Sequence, residues 1–405
     1  MTRCSGGGMR RRAIRACAPG AVFLGALFML ATQALPQWGG DTPFATSPAD
    51  GRAWSFHGRR LLMAGGGSKP PSIWDLTTGS EIQTFRGHTE PVWTVAFSPD
   101  GTQAATVAAG IPLSFKPSTD NSVRVWDVAS GREVRRFNYS GALGTTIQFS
   151  SDGKRLLRVD RSEIHVWDIA TGSELFAIAS PPSPRNQRAS FSPDLRTILI
   201  DDGSSLRLFE YQNGKARCTV GPWSGHSFLD AKFDPDGRRI VSVFTEMPMN
   251  HSLSRAQIWD TDRCRQMQDL AATMTSFAHA SFSADGMNIV ANLSSPPSAQ
   301  LWDARSGLEI RRFEPAGVKF VHDVLLSPDG RRLLTRSSFY RGTDIFETSL
   351  FDVESGQELQ KFDEGFYQFF VAGFSPDGET ILVTDKVRPV SLWSSETGKL
   401  IRRYP

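Results

Sequence analysis

The chain has 405 residues, with 45 Lys and Arg against 42 Asp and Glu for a formal charge of +3, four cysteines and seven histidines. So few cysteines exclude a disulfide-built miniprotein, and the near-balanced charge excludes a strongly basic nucleic-acid binder. In chain order the first element stands apart. Arg3, Arg10, Arg11, Arg12 and Arg15 precede the first acid, Asp41; an apolar stretch from Ala16 to Ala31 follows, and Thr32-Gln33-Ala34 offers a small-residue cleavage site. This layout predicts a secretory signal over residues 1–34 and a linker over 35–49, with a periplasmic or secreted mature chain. The apolar core is short for a membrane span, which favours the cleaved signal over the alternative, an N-terminal anchor over residues 16–34. Cys17 lies before the apolar core, which argues against a lipoprotein anchor, and Met9 is an alternative start. Removing residues 1–34 takes five arginines and no acid, leaving a formal charge of −2, so the basicity belongs to the export signal and no nucleic acid is expected as a partner.

From residue 50 onward the chain repeats itself eight times. An aromatic followed by an acid closes the units as Trp74-Asp75, Trp126-Asp127, Trp167-Asp168, Phe209-Glu210, Trp259-Asp260, Trp302-Asp303 and Phe351-Asp352, with Trp393-Ser394 as the worn last copy. Before most of them lies a turn of the type Ser98-Pro99-Asp100-Gly101, flanked by apolar runs such as Val92-Trp93-Thr94-Val95-Ala96-Phe97, which predicts a β-hairpin. A second turn follows, with Gly79, Gly131, Gly172, Gly214, Gly307, Gly356 and Gly398 five residues after the aromatic, and then a charged alternating strand such as 132–137. Each unit is therefore four antiparallel strands, a to d, too small to bury its own apolar face.

These residues resemble the WD-repeat β-propeller family over nearly the whole chain after residue 50. The resemblance implies an all-β, eight-bladed β-propeller of four-stranded antiparallel blades over residues 50–405, with seven blades as the alternative. It also implies a scaffolding role. Members often support the Trp with a Gly-His before strand a and an Asp in the b–c turn. Here only the second unit shows both, as Gly87-His88 and Asp120, while Gly225-His226 has no matching Asp. The chain thus resembles a degenerate, bacterial-type member whose other blades hold their Trp by packing alone. Cys218 and Cys264 fall near strands d of consecutive units, where bridging distance is not expected, and read as two unpaired thiols.

Unit lengths vary at one place only. From the residue ending strand a (Trp54, Phe97, Phe149, Phe191, Phe233, Phe282, Leu326, Phe374) to the aromatic ending strand c, the separations are 20, 29, 18, 18, 26, 20, 25 and 19. From each aromatic to the next anchor they are 23 or 24 throughout. The extra residues lie in the b–c connections of units 2, 5 and 7, and antiparallel order sends b–c and d–a loops to one face of the ring. The loops hold interface-type side chains: Phe115 and Lys116 in unit 2, Met247 and Met249 in unit 5, and Phe339, Tyr340 and Arg341 in unit 7, with Trp223 and the run Phe366-Tyr367 from d–a loops.

The expected function is non-enzymatic binding of a protein or peptide through this face by a monomeric chain, with a membrane involved only if the N-terminal segment stays. No metal or cofactor is expected, because the histidines are scattered and no haem-attachment, phosphate-loop or Gly-x-Ser-x-Gly motif occurs. The alternative is a periplasmic enzyme or small-molecule binder using the central channel near His322 and Asp323.

Overall fold

The structure is a computed structural model that describes residues 43–44 and 54–404, save segments 65–68, 110–118, 140–145, 160–162, 180–187, 202–204, 221–225, 247–252, 271–276, 295, 339–344, 368–370 and 385–390. Eight four-stranded antiparallel blades follow one another around a ring, over residues 54–84, 92–138, 146–179, 188–220, 226–269, 277–313, 320–367 and 371–403. In each blade strands a, b, c and d pair in sequence order. Strands a lie side by side around the channel, fully buried in Val92–Phe97 and carrying polar side chains in blades 4 to 7; strands d form the rim and are mostly exposed, as in Glu133–Asn138. Both the eight blades and the all-β class expected from the repeats are present.

The a–b turn is built by its own sequence. Ser98 Oγ donates to Asp100 Oδ1 at 2.6 Å and accepts from Gln103 N at 2.9 Å, while Gly101 takes φ of +64°. The same bonds recur at Ser150, Ser283, Ser327 and Ser375. The acid after each Trp closes the c–d turn: Asp127 Oδ1 accepts from Ser130 N at 2.8 Å, as Asp168 does from Thr171 N and Asp352 from Ser355 N. The Ser130 hydroxyl and then its N–H at Asp127, and the turn N–H bonds with the Thr171 and Ser355 hydroxyls at Asp168 and Asp352, hold the three carboxyls below their ordinary range.

The core lies between blades. The eleventh residue after each aromatic packs against the next blade's aromatic: Phe85 stacks on Trp126 at 5.3 Å, Phe137 on Trp167 at 4.9 Å, and Phe313 meets Phe351 edge-on at 5.7 Å. Tyr404 meets Trp74 at 6.0 Å and its hydroxyl donates to Leu76 O at 3.4 Å, so the last blade closes on the first side by side without exchanging a strand. A short strand, Pro43–Phe44, pairs with Ser55 and Trp54 on the inner edge of blade 1, so the segment before the ring supplies an extra strand there.

Register corrects one anchor. Phe56, not Trp54, pairs with Leu61, which in turn pairs with Trp74, the pattern that Phe97, Ala104 and Trp126 follow. The short hairpin at His57-Gly58-Arg59-Arg60 hid this, because it lacks the Ser-Pro-Asp-Gly pattern.

Candidate functional site

Apart from the a–b hairpin of blade 1, two residues shorter than the rest, the register places the unit-length differences between strands b and c. In short blades the b–c pairing runs to Val159↔Ile164 or Asp201↔Leu206; in blade 2 it ends at Ala108↔Ser122 and in blade 5 at Glu246↔Leu253. Blades 5 and 7 use part of their extra residues to lengthen the hairpin, with eight-residue strands Arg239–Glu246, Leu253–Asp260 and Ile345–Asp352. These hairpins extend toward the b–c and d–a face. Phe115, Lys116, Trp223, Met247, Met249, Phe339, Tyr340 and Arg341 lie outside the described residues. Phe366 and Tyr367 are not in a d–a loop: strand d of blade 7 runs Glu358–Tyr367 because Phe346 and Ile345, on the lengthened strand c, give both residues a pairing partner.

On the channel side, strands a of blades 4 to 7 carry a linked polar cluster. Arg188 donates to Leu229 O at 2.8 Å and Asp230 Oδ1 at 3.1 Å; Lys232 lies 3.6 Å and His279 Nδ1 3.4 Å from Asp230 Oδ2. Burial alone would raise the Asp230 carboxyl, but Lys232, His279 and Arg188 together hold it below the ordinary range. Asn292 accepts from His279 N and donates to Val321 O, both at 2.8 Å, carrying the network into blade 7. There a bulge between Val321 and Asp323 re-aims His322, whose Nε2 pairs with Ser338 Oγ at 2.7 Å, while Asp323 faces Arg336 at 3.7 Å. Burial, then the charges of Arg336 and His279, bring His322 down to about 4, so the imidazole is neutral. Sequence singled out His322 and Asp323; it missed Arg188, Asp230 and His279, which the register aligns at one position of three successive strands a. Every carboxylate in this cluster already faces a cation, an arrangement that fastens blades together.

Blade 2 keeps the full support of its Trp. Trp126 Nε1 donates to Thr106 Oγ1 at 2.8 Å, the Thr106 hydroxyl pairs with His88 Nε2 at 2.7 Å, and His88 Nδ1 pairs with Asp120 at 2.8 Å. The chain of donors runs from indole to carboxylate and places the imidazole proton on Nδ1. Burial lowers His88, consistent with a neutral ring. Asp120 also accepts from Thr89 N and faces Arg124, 5% exposed, at 2.9 Å. The expectation that other blades rely on packing alone is too strict: Trp74 donates to Ser72, Trp259 to Ser242 and Trp393 to Ser391 at 2.8–3.0 Å. His226 does not match His88; its backbone lies within strand a, paired with Glu246, whereas His88 precedes its strand.

Cys218 and Cys264 are joined, against the expectation of free thiols, with Cα atoms 6.4 Å apart. Cys264 is not on strand d but in the c–d turn, at φ +51°, and each such turn sits against strand d of the preceding blade. The visible signal was that Cys264 stands five residues after Trp259, the place of glycine in every other unit.

Among the described residues no group of three or more His, Cys, Asp or Glu could hold a metal ion. A family model described as WD domain, G-beta repeat, matches residues 79–127. The serine-threonine kinase receptor-associated protein of Gallus gallus is 21% identical over 330 residues, covering 81% of this chain and 74% of its own length. Eukaryotic translation initiation factor 3 subunit I of Aspergillus terreus is 32% identical over 131 residues, 31% of this chain and 36% of its own. A crystal structure of the eukaryotic initiation factor superposes with a TM-score of 0.57 at 14% identity over 91% of this chain and 89% of that one. The C-terminal WD40 domain of Sif2 does so with 0.52 at 16% over 69% and 76%. At these identities the solved structures carry the fold alone. The stretch that matches the family model holds the blade with the whole Trp–Thr–His–Asp network, and the other seven repeat its register: the chain is an eight-bladed β-propeller whose repeats are similar to those of the WD domain family.

Proposed function

We propose that this propeller is an exported scaffold that binds a protein or peptide through the face bearing the b–c insertions of blades 2, 5 and 7. The observation that carries the reading is that the long insertions of blades 2, 5 and 7 all fall in one connection type, on one face, while the a–b hairpin keeps one length in every blade but the first. Ring scaffolds tolerate loop change there without loss of core, and the insertions hold aromatic, Met and Arg side chains suited to contact. The chain is a scaffold and not an enzyme, in keeping with its WD-repeat relatives. Export draws support from two independent features: the basic-then-apolar layout of residues 1–34, which lie outside the described residues, and the Cys218–Cys264 bond, which suits an oxidising compartment.

The test is an affinity pull-down from the envelope fraction with the chain as made and with segments 110–118, 247–252 and 339–344 shortened to the length found in blades 3 and 4. Partners lost on trimming, with an unchanged β-sheet circular dichroism spectrum, support the insertion face. The same partners on both versions would move the working surface to the channel or the opposite face.

A further inference from the structure

Each blade meets the next through one recurring joint at the rim. The ninth residue after the aromatic lays its side chain over the c–d turn of the following blade, against the glycine five residues after that blade's aromatic. Arg135 donates to Ile169 O at 3.0 Å, Gln268 to Ser306 O at 3.0 Å and Arg311 to Ser355 O at 3.2 Å; Gln83 reaches the Val128 and Ala129 carbonyls at 3.4 Å. Phe176 covers Gly214 so closely that a Cβ there would lie 2.6 Å from its ring. Arg402 makes the joint to Thr78 that closes the ring.

At the boundary of blades 4 and 5 both members of the joint are exchanged. Cys218, paired with Leu208, holds the register of Gln83, Arg135, Phe176, Gln268, Arg311, Gln360 and Arg402, and Cys264 takes the place of the glycine. We infer that the Cys218–Cys264 bond is a covalent substitute for the side-chain-on-glycine contact, making the blade 4–5 boundary an oxidation-dependent joint and, when reduced, the weakest seam of the ring.

Two features weaken the joint in its reduced form. A Cys218 thiol is too short to reach the turn carbonyls as Gln and Arg do, and Cys264 keeps a Cβ in a left-handed conformation that seven units give to glycine. Closure is a thiol–disulfide exchange. One thiolate attacks the disulfide of an oxidised donor dithiol, forming a mixed disulfide and releasing one donor thiolate. The second cysteine thiolate then displaces the other, so the two protein thiols lose two protons and two electrons and the donor leaves as a dithiol. Both cysteines are half-buried on the rim, within reach of such a partner. The inner half of the boundary stays fastened by Arg188 on Asp230 and Leu229 O, while the outer half keeps only the solvent-exposed Arg217–Asp262 pair at 3.3 Å among its described ion pairs, so reduction loosens the outer half first.

The experiment maps the linked peptide in a digest of the full chain without reductant, then follows melting and hydrogen exchange with and without a dithiol reductant. Closing a loop of 46 residues and the size of the ring set an expected fall in Tm of about 5 °C on reduction. Exchange should quicken in Ala216–Val220 and in the turn at Cys264, with strands a of blades 4 and 5 unchanged. A double variant, Cys218→Gln with Cys264→Gly, rebuilds the joint used elsewhere and should fold, with a Tm indifferent to reductant. Absence of the linked peptide, or a wild-type Tm and exchange pattern unchanged by reductant once the bond is broken, would overturn the inference.

Discussion

Thr106 and Thr335 occupy the same place in strand b of blades 2 and 7, two residues after the partner of the strand a anchor, and their removal should have opposite effects. Thr106 accepts from Trp126 and bonds to His88, and both partners are buried. In blade 7 the aromatic is Phe351, which has no N–H to give, and Thr335 Oγ1, in a residue with no exposure, has no hydrogen-bond partner among the described residues. Replacing either Thr by Val keeps the shape and removes one hydroxyl. Thr106→Val leaves an indole N–H and an imidazole nitrogen unpaired in the interior, each worth about 1–3 kcal/mol, so the variant should be less stable by about 2–4 kcal/mol. Thr335→Val removes a polar group that has already lost its bonds to water, and should be more stable by about 1 kcal/mol. Equilibrium urea unfolding followed by tryptophan fluorescence and circular dichroism measures both. A loss of stability in both variants, similar in size, would show that the Thr335 hydroxyl is satisfied and that the pairing with the aromatic does not decide the sign.

Three further outcomes are expected. His322 is neutral in the folded chain, held down to about 4 from its ordinary 6.5 by burial first; the unfolded chain takes up the proton earlier as pH falls. Its contribution is complete above about pH 6.5 and is lost between about 6.5 and 4, so unfolding free energies at pH 7 and 4 should differ by about 2–3 kcal/mol more in wild type than in His322→Gln. Tyr404→Ala opens the closing contact on Trp74 and should destabilise by about 3–4 kcal/mol, read as a lowered Tm with a changed Trp emission; an unaffected Tm would mean that the ring does not depend on this seam. Asp120→Ala strips the buried Arg124 and His88 of their shared carboxylate and should cost about 3–5 kcal/mol, whereas Asp127→Ala, at an exposed turn, should fall well short of that in the same urea titration.

The architecture was legible because its determinants are local. A Ser-Pro-Asp-Gly turn, an aromatic with an acid and a glycine five residues on each specify a bond within a few residues of themselves, so counting them gave blade number and strand order. Where the local signal was worn, as at His57-Gly58, the anchor slipped from Phe56 to Trp54. Relations between blades were harder to see. The Cys218–Cys264 bond depends on a strand d abutting the next blade's turn, and Arg188, Asp230 and His279 meet only because three strands a lie in register around the channel. The lengthened strand d that takes up Phe366 and Tyr367 depends on a hairpin opposite it, which no pattern within strand d itself announces.

The same distinction explains which part of each repeat is free to change. The stretch from one aromatic to the next anchor holds the c–d turn that receives the preceding blade's rim side chain, the residue that packs on the next aromatic, and the crossing to the next strand a. An added residue anywhere in it would shift a joint on both sides, and its length is accordingly 23 or 24 in every unit. The b–c connection touches neither joint. Lengthening it extends a hairpin already paired within its own blade, as in blades 5 and 7, and leaves every interblade contact in place. Variation in a ring of this kind is therefore driven to the b–c edge by the mechanics of the joints, and a surface that differs from blade to blade, as partner recognition requires, has that edge as its cheapest source.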